Sequence, residues 1–118
     1  VKNLLKKKYK TKIIPCKTIR DKNKIALSSR NILLNSTNHI LAGKIYNELI
    51  NIKKKICSKK NISKFLEYKK KQLEINFKVK IDYLEFRNTK NFKLSKKNKN
   101  SRLFIAYYLN NVRLIDNV

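Results

Sequence analysis

One segment of the chain holds residue types that handle phosphate. It reads Thr18-Ile19-Arg20-Asp21, then, after Lys22-Asn23-Lys24, Ile25-Ala26-Leu27-Ser28-Ser29-Arg30-Asn31. Two adjacent hydroxyls followed by a guanidinium can grip a phosphoryl group. The hydroxyls and loop amides donate to non-bridging oxygens, and the arginine adds charge and a planar fork. The same spacing has a second and commoner reading, in which Ser28 or Ser29 caps a turn of helix and Arg30 stands in solvent. Elsewhere the chemistry is sparse. There is no glycine-rich phosphate loop, no dinucleotide fingerprint, no zinc spacing and no Ser-His-Asp set. The seven acidic residues form no evident catalytic pair, and no metal ligand set is expected. Cys16 and Cys57 fit neither metal nor redox spacing and are expected to be buried or half-buried free thiols in a reducing compartment. The single histidine, His39, has no second histidine or cysteine nearby and is expected at the surface or at a helix entry.

The elements around this segment follow from periodicity. Val1 to about Lys8 reads as the end of a helix, and Lys12 to Lys17 as a short strand that Pro15 confines to an edge. A lone helix and a lone strand make no core, so they are expected to be the last α-β unit of a domain lying upstream. Thr18 to Asn35 is a polar connector. A helix is expected from Thr37 to about Cys57, capped by Ser36 or Thr37, with Leu41, Ile45, Leu49, Ile52 and Ile56 on its buried face. Gly43 inside it costs about 1 kcal/mol against alanine, which suggests close packing there. Asn61 or Ser63 opens a second helix with Ile62, Phe65, Leu66 and Leu73 inward. Period two then takes over. Strands are expected over Val79–Phe86, Leu103–Leu109 and Val112–Ile115, the last two joined by a type I′ turn at Asn110-Asn111. Between the first two strands Phe92 and Leu94 are candidate anchors in a polar, lysine-rich stretch. The fold class is α+β, helices on a small antiparallel sheet.

Composition bounds the partners. The chain has 118 residues, 42% hydrophobic, enough for one packed domain and too few for two. No apolar run is long enough to cross a bilayer and no secretory leader is evident, so a cytoplasmic protein without membrane partners is expected. The net charge of +24 raises nucleic acid as a partner. Yet of the 31 basic residues only five are arginine, and Lys, Asn and Ile fill 57 positions, as drift toward A+T-rich codons would produce. Nucleic-acid interfaces favour the arginine fork, and these lysines are scattered. The charge is therefore read as solvated surface. A small basic nucleic-acid-binding module remains the alternative, and it would need clustered arginines and exposed aromatics such as Tyr83, Tyr107 and Tyr108 on a sheet; those tyrosines are expected instead to pack between strand and helices.

Three blocks together resemble the pantothenate synthetases (pantoate–β-alanine ligases). Arg20 through Leu34, with Ser28-Ser29-Arg30-Asn31, is similar to a family signature in which Arg precedes Asp-Gly-Leu-Ala and then Ser-Ser-Arg-Asn. Ile81-Asp82-Tyr83-Leu84-Glu85 is similar to the family's Asp-Tyr-Leu strand. Ser101-Arg102-Leu103, Ala106 and Arg113-Leu114-Ile115-Asp116-Asn117 are similar to its terminal hairpin. Order and spacing agree over nearly the whole chain. The first block is the specific one; the others lend structural support.

The resemblance implies residues 1–20 as the end of a doubly wound, nucleotidyltransferase-like domain and 21–118 as a C-terminal α+β domain, with the N-terminal half absent. It implies ATP binding through Leu27, Ser28, Ser29 and Arg30, the backbone of Ile19 near adenine, and Arg30 as the one candidate for transition-state charge stabilisation. The implied substrates are pantoate, β-alanine and Mg²⁺-ATP, with no prosthetic group, a pantoyl-adenylate intermediate, and a homodimer for the full enzyme. Three positions depart from the pattern. Lys17 replaces a proline, Lys24 a glycine expected at positive φ, and Asn110 a glycine of the hairpin.

Overall fold

The computed structural model describes residue 14 and residues 16–118. The helix expected over Val1 to about Lys8, and most of the strand expected over Lys12 to Lys17, lie outside these residues. Ile14, Cys16 and Lys17 carry no regular structure, because no strand among the described residues runs beside them to complete a ladder.

Two helices form where apolar side chains recur at helical spacing, and an asparagine opens each. These are α1 (Ser36–Ile56) and α2 (Ile62–Phe77). Asn35 Oδ1 accepts the N–H of Asn38 at 2.8 Å, and Asn61 Oδ1 accepts that of Lys64 at 3.0 Å. The cap of α1 is thus Asn35, not Ser36 or Thr37: its amide oxygen reaches the third helical N–H, so the helix starts one residue early. Ile45, Leu49, Ile52 and Ile56 of α1 are at most 1% exposed, and Leu66 and Leu73 of α2 are buried with them.

These faces cover one side of an antiparallel sheet, order β1-β2-β3, built from β1 (Lys80–Asn88), β2 (Ser101–Leu109) and β3 (Val112–Asn117). On β2 Leu103, Ile105, Tyr107 and Leu109 are buried on the core face, and Ala106 on the opposite face is buried as well. On β1 the alternation expected from Ile81 and Tyr83 breaks. Ile81 faces Tyr107 and Tyr83 faces Ala106, which leaves Asp82 as the extra residue of a bulge. The bulge shifts the phase, so Leu84 and Phe86 point into the core and Tyr83 to the opposite face. Tyr107 packs inward as expected, whereas Tyr83 and Tyr108 are half-buried on the outer face.

Three further expectations are corrected. Only Asn110 of the hairpin pair has positive φ (52°), so the turn is not type I′, which needs both. Phe92 and Leu94 are exposed, because that stretch runs at the surface, tied by Arg87 to the Phe92 carbonyl at 2.7 Å. Cys16 and Cys57 are free but exposed: the first precedes the packed layers and the second sits just past the end of α1, where no core reaches it.

Candidate functional site

The connector doubles back on itself. Leu27 N–H donates to the Ile19 carbonyl at 3.0 Å, and Arg20 pairs with Ala26 as an antiparallel bridge. Asp21 builds the turn between them. Its Oδ1 accepts the N–H of Asn23 at 2.8 Å and of Ile25 at 3.0 Å, and its carbonyl accepts the N–H of Lys24 at 3.0 Å. Lys24 sits at φ 71°, so the turn keeps the left-handed backbone expected of glycine with a lysine in place. Such a conformation costs an L-residue roughly 1–2 kcal/mol. Gly43 of α1 packs against this turn, and any Cβ there would strike the Asn23 carbonyl oxygen.

Arg20 fastens the connector to the sheet. Its guanidinium donates to both carboxylate oxygens of Asp116 on β3, at 2.7 and 2.8 Å, and to the Lys24 carbonyl at 2.9 Å. Its face lies 4.0 Å from the centre of the Tyr46 ring on α1. The pair is largely buried, with side chains 17% and 12% exposed. The hydrogen bond to Asp116 holds the Arg20 proton more firmly than usual. Beside it, burial drives the Tyr107 phenol well above the ordinary tyrosine range; Asp116 adds to the shift and Arg20 opposes it.

Ser28, in extended conformation, starts a 3₁₀ turn over Ser29–Leu33. Its Oγ accepts the N–H of Arg30 at 3.2 Å and its carbonyl that of Asn31 at 3.0 Å. The capping arrangement is therefore present. It does not spend the serine, because a hydroxyl that accepts a bond can still donate one. Leu27, Ser28, Ser29, Arg30 and Ile19 are all exposed.

Two hollows meet at this turn. The first, about 430 Å³, lies between the connector and β3, with Ser28, Arg30, Tyr107 and Asp116 among its walls. The second, about 590 Å³ and shallower, is lined by Asp21, Leu27, Ser28, Ser29, Asn31, Ile32 and His39. Leu27 and Ser28 serve both; Arg30 opens on the first, Ser29 on the second, and Ile19 lines neither. Asn31 forms the wall between them. Its Nδ2 donates to the Ala26 carbonyl at 3.1 Å, while its buried Oδ1 meets no donor among the described residues.

Arg30 differs from every other arginine. Arg20 is committed to Asp116, Arg87 to Glu85, Arg113 to Asp82 and Arg102 to the Asn117 side chain. Among the described residues the Arg30 guanidinium makes no hydrogen bond or ion pair. It is a cation available to an incoming anion at the rim of the groove.

The sequence pointed to Ser28, Ser29 and Arg30 but not to what holds them. Arg20 and Asp116 stand 96 residues apart, and nothing in either neighbourhood names the other. His39 is at a helix entry as expected, but it is not idle: Nε2 lies 3.1 Å from the Asn31 carbonyl and Nδ1 3.5 Å from Asp21 Oδ2. Among the described residues no three His, Cys, Asp or Glu gather to hold a metal, and no helix is long and apolar enough to cross a membrane.

The chain is similar in fold and in sequence to known proteins. The fold matches a crystal structure of pantothenate synthetase from Thermus thermophilus with a TM-score of 0.82 at 20% identity, over 99% of this chain and 43% of that one. It also matches the pantoate-β-alanine ligase of Francisella tularensis, complexed with β-γ ATP and β-alanine, with a TM-score of 0.64 at 34% identity, over 99% of this chain and 37% of that one. In sequence, the pantothenate synthetase of Flavobacterium psychrophilum is 35% identical over 116 residues, covering 96% of this chain and 41% of that protein. The chain thus spans about two-fifths of the length of the curated relatives it matches. The profile of the pantoate-β-alanine ligase family covers residues 1–118, and the chain belongs to that family.

Proposed function

We propose that this chain supplies the ATP-phosphate loop and closing domain of an ATP-dependent ligase that condenses pantoate with β-alanine. The observation that carries the reading is the uncommitted Arg30 guanidinium beside the Ser28 and Ser29 hydroxyls. In the proposed reaction the pantoate carboxylate attacks the α-phosphorus of Mg²⁺-ATP and pyrophosphate leaves. The β-alanine amine then attacks the acyl carbon and AMP leaves. Arg30 offsets the charge gathering on the phosphoryl oxygens, and Ser28 and Ser29 donate to them. The Ile19 and Leu27 backbones, bonded to each other, form the ledge offered to the base. Mg²⁺ enters with ATP as part of the substrate. Residues 1–20 would close a doubly wound nucleotidyltransferase-like domain and 21–118 form the C-terminal domain. The whole enzyme is read as a cytoplasmic homodimer whose N-terminal half holds pantoate and β-alanine.

The alternative is a nucleic-acid module using the outer sheet face, where Tyr83, Phe104 and Tyr108 lie among Arg87, Arg102 and Arg113. Against it, each of these arginines already holds a carboxylate or amide of the chain. A titration separates the two readings. Mg²⁺-ATP should shift the amide resonances of Leu27–Asn31 in the wild type and not in Arg30→Ala. Sequence-selective retention of an oligonucleotide at about 0.15 M salt, with those amides unmoved, would favour the alternative.

A further inference from the structure

His39 stands on the first turns of α1, with an acceptor at each end of its ring. Nε2 faces the Asn31 carbonyl at 3.1 Å, and Nδ1 faces Asp21 Oδ2 at 3.5 Å. A neutral imidazole has one N–H and one lone pair. The Nε2 contact is a hydrogen bond, whereas the Nδ1 contact is a longer, ion-pair approach to a carboxylate. Only the doubly protonated ring offers a proton to the carbonyl and a positive charge to the carboxylate. Asp21 Oδ1 is occupied by the N–H groups of Asn23 and Ile25, which leaves Oδ2 for the ring. The Asn31 carbonyl also takes the Leu34 N–H at 3.1 Å, closing the 3₁₀ turn.

We propose that His39 is a proton-dependent positioning residue for the Ser28–Arg30 loop: the imidazolium ties that loop to the Asp21 turn, and loss of one proton releases one of the two ties. The inference rests on the reading of the loop as a phosphate site. The charged groups around the ring are few. From the connector turn it meets Asp21; from the 3₁₀ turn it meets a carbonyl, with Arg30 opening on the other groove; and the first turn of α1 carries no acidic residue. The N-terminal end of α1 disfavours a cation, and a bonded carbonyl together with a nearby carboxylate favours one. The tie is complete while the ring carries both protons and slackens once one has left.

The chain has one histidine, so its ring signals are unambiguous. The experiment records ring ¹⁵N shifts and amide hydrogen exchange at Asn31–Leu34, corrected for intrinsic rates, across about pH 5 to 8. It also measures the Mg²⁺-ATP dissociation constant at each pH, in the wild type, His39→Arg and His39→Gln. In the wild type, protection of Asn31–Leu34 should fall about tenfold as the ring loses its proton, and nucleotide affinity should fall with it. His39→Arg, a permanent cation, should hold both flat. His39→Gln, with one donor end and no charge, should be flat at the weakened level. A ring that is singly protonated throughout, or protection indifferent to its state, overturns the inference, and the wild-type series alone decides this. A pH dependence that survives in His39→Arg also overturns it. Absence of Mg²⁺-ATP binding at every pH, with protection still tracking the ring, would instead sink the phosphate reading of the loop.

Discussion

The α-carbon of Gly43 faces the carbonyl oxygen of Asn23 so closely that a methyl group there has no room. Gly43→Ala sets two effects against each other. Alanine improves helix propensity by about 1 kcal/mol. The obstacle is backbone, not a flexible side chain, so α1 or the Asp21 turn must move, at about 1–3 kcal/mol. The clash should win, and a urea melt should show net destabilisation with disturbed amides at Lys22–Ile25. A stabilised variant would mean that the helix does not pack there.

Lys24→Gly should act the other way. Removing the left-handed strain returns roughly 1–2 kcal/mol, and glycine's greater freedom in the unfolded chain takes back about 0.5–1. The net, roughly 0 to 1.5 kcal/mol of stabilisation, should raise the melting temperature by up to a few degrees, and a lowered melting temperature would show that Lys24 is not strained.

Arg30→Ala in an active ligase should slow adenylate formation on the order of 10²–10³-fold, with melting unchanged. Ser29→Ala should cost less, since a neutral hydroxyl binds phosphate more weakly than a guanidinium. Ser28→Ala should differ from both by also lowering stability by about 1 kcal/mol, because Ser28 caps the 3₁₀ turn. Normal pantoyl-adenylate formation by Arg30→Ala would leave the segment with its capping role alone.

Tyr107 should make the fold sensitive to alkali. Burial raises its folded-state pKa, so the neutral phenol is favoured in the native state. Its contribution is complete below the unfolded value of about 10 and is lost as pH climbs toward the folded value. The slope is at most ~1.4 kcal/mol per pH unit. Urea midpoints measured from about pH 9 upward should fall less steeply in Tyr107→Phe than in the wild type. Equal slopes would show that other groups carry the alkaline loss.

Residues 1–118 alone should not make pantothenate. The larger share of the relatives' length has no counterpart here, and two open hollows on one face cannot align two substrates against an α-phosphate. Ile14, Ile19, Ile32 and Leu33 are exposed apolar side chains, and self-association is expected. The chain supplied with ATP, Mg²⁺, pantoate and β-alanine should release neither AMP nor pantothenate. Turnover comparable to that of a full-length relative would show that the catalytic parts lie within it.

Much of the scaffold was legible because periodicity is local. The isoleucines and leucines of α1 sit at helical spacing, and a short apolar and aromatic run marked β2. What failed was also local but chemically ambiguous. Asn35, Ser36 and Thr37 are all good caps, and only the structure selects among them. Asp82 reads as an ordinary strand residue, yet as a bulge it reverses the facing of everything after Ile81. The site divides in the same way. Ser28, Ser29 and Arg30 are contiguous and visible. Their supports, Asp116, Tyr46 and His39, come from distant parts of the chain, and no one-dimensional pattern records that they converge. The cysteines went wrong because residue type predicts burial only on average.

The tie between Arg20 and Asp116 also sets an order in time. A ribosome delivers Arg20 first and Asp116 96 residues later, a wait of roughly 5–20 s at ordinary elongation rates. Until then the connector has Asp21 to shape its turn but nothing to anchor that turn to the sheet. The segment proposed to meet ATP is thus encoded near the front of this stretch and finished near its back. A nascent or prematurely terminated copy lacking β3 would carry the Ser-Ser-Arg sequence without its geometry, with a bare guanidinium and an open sheet edge exposed to quality control. Translation must reach the last strand before the first loop becomes a site.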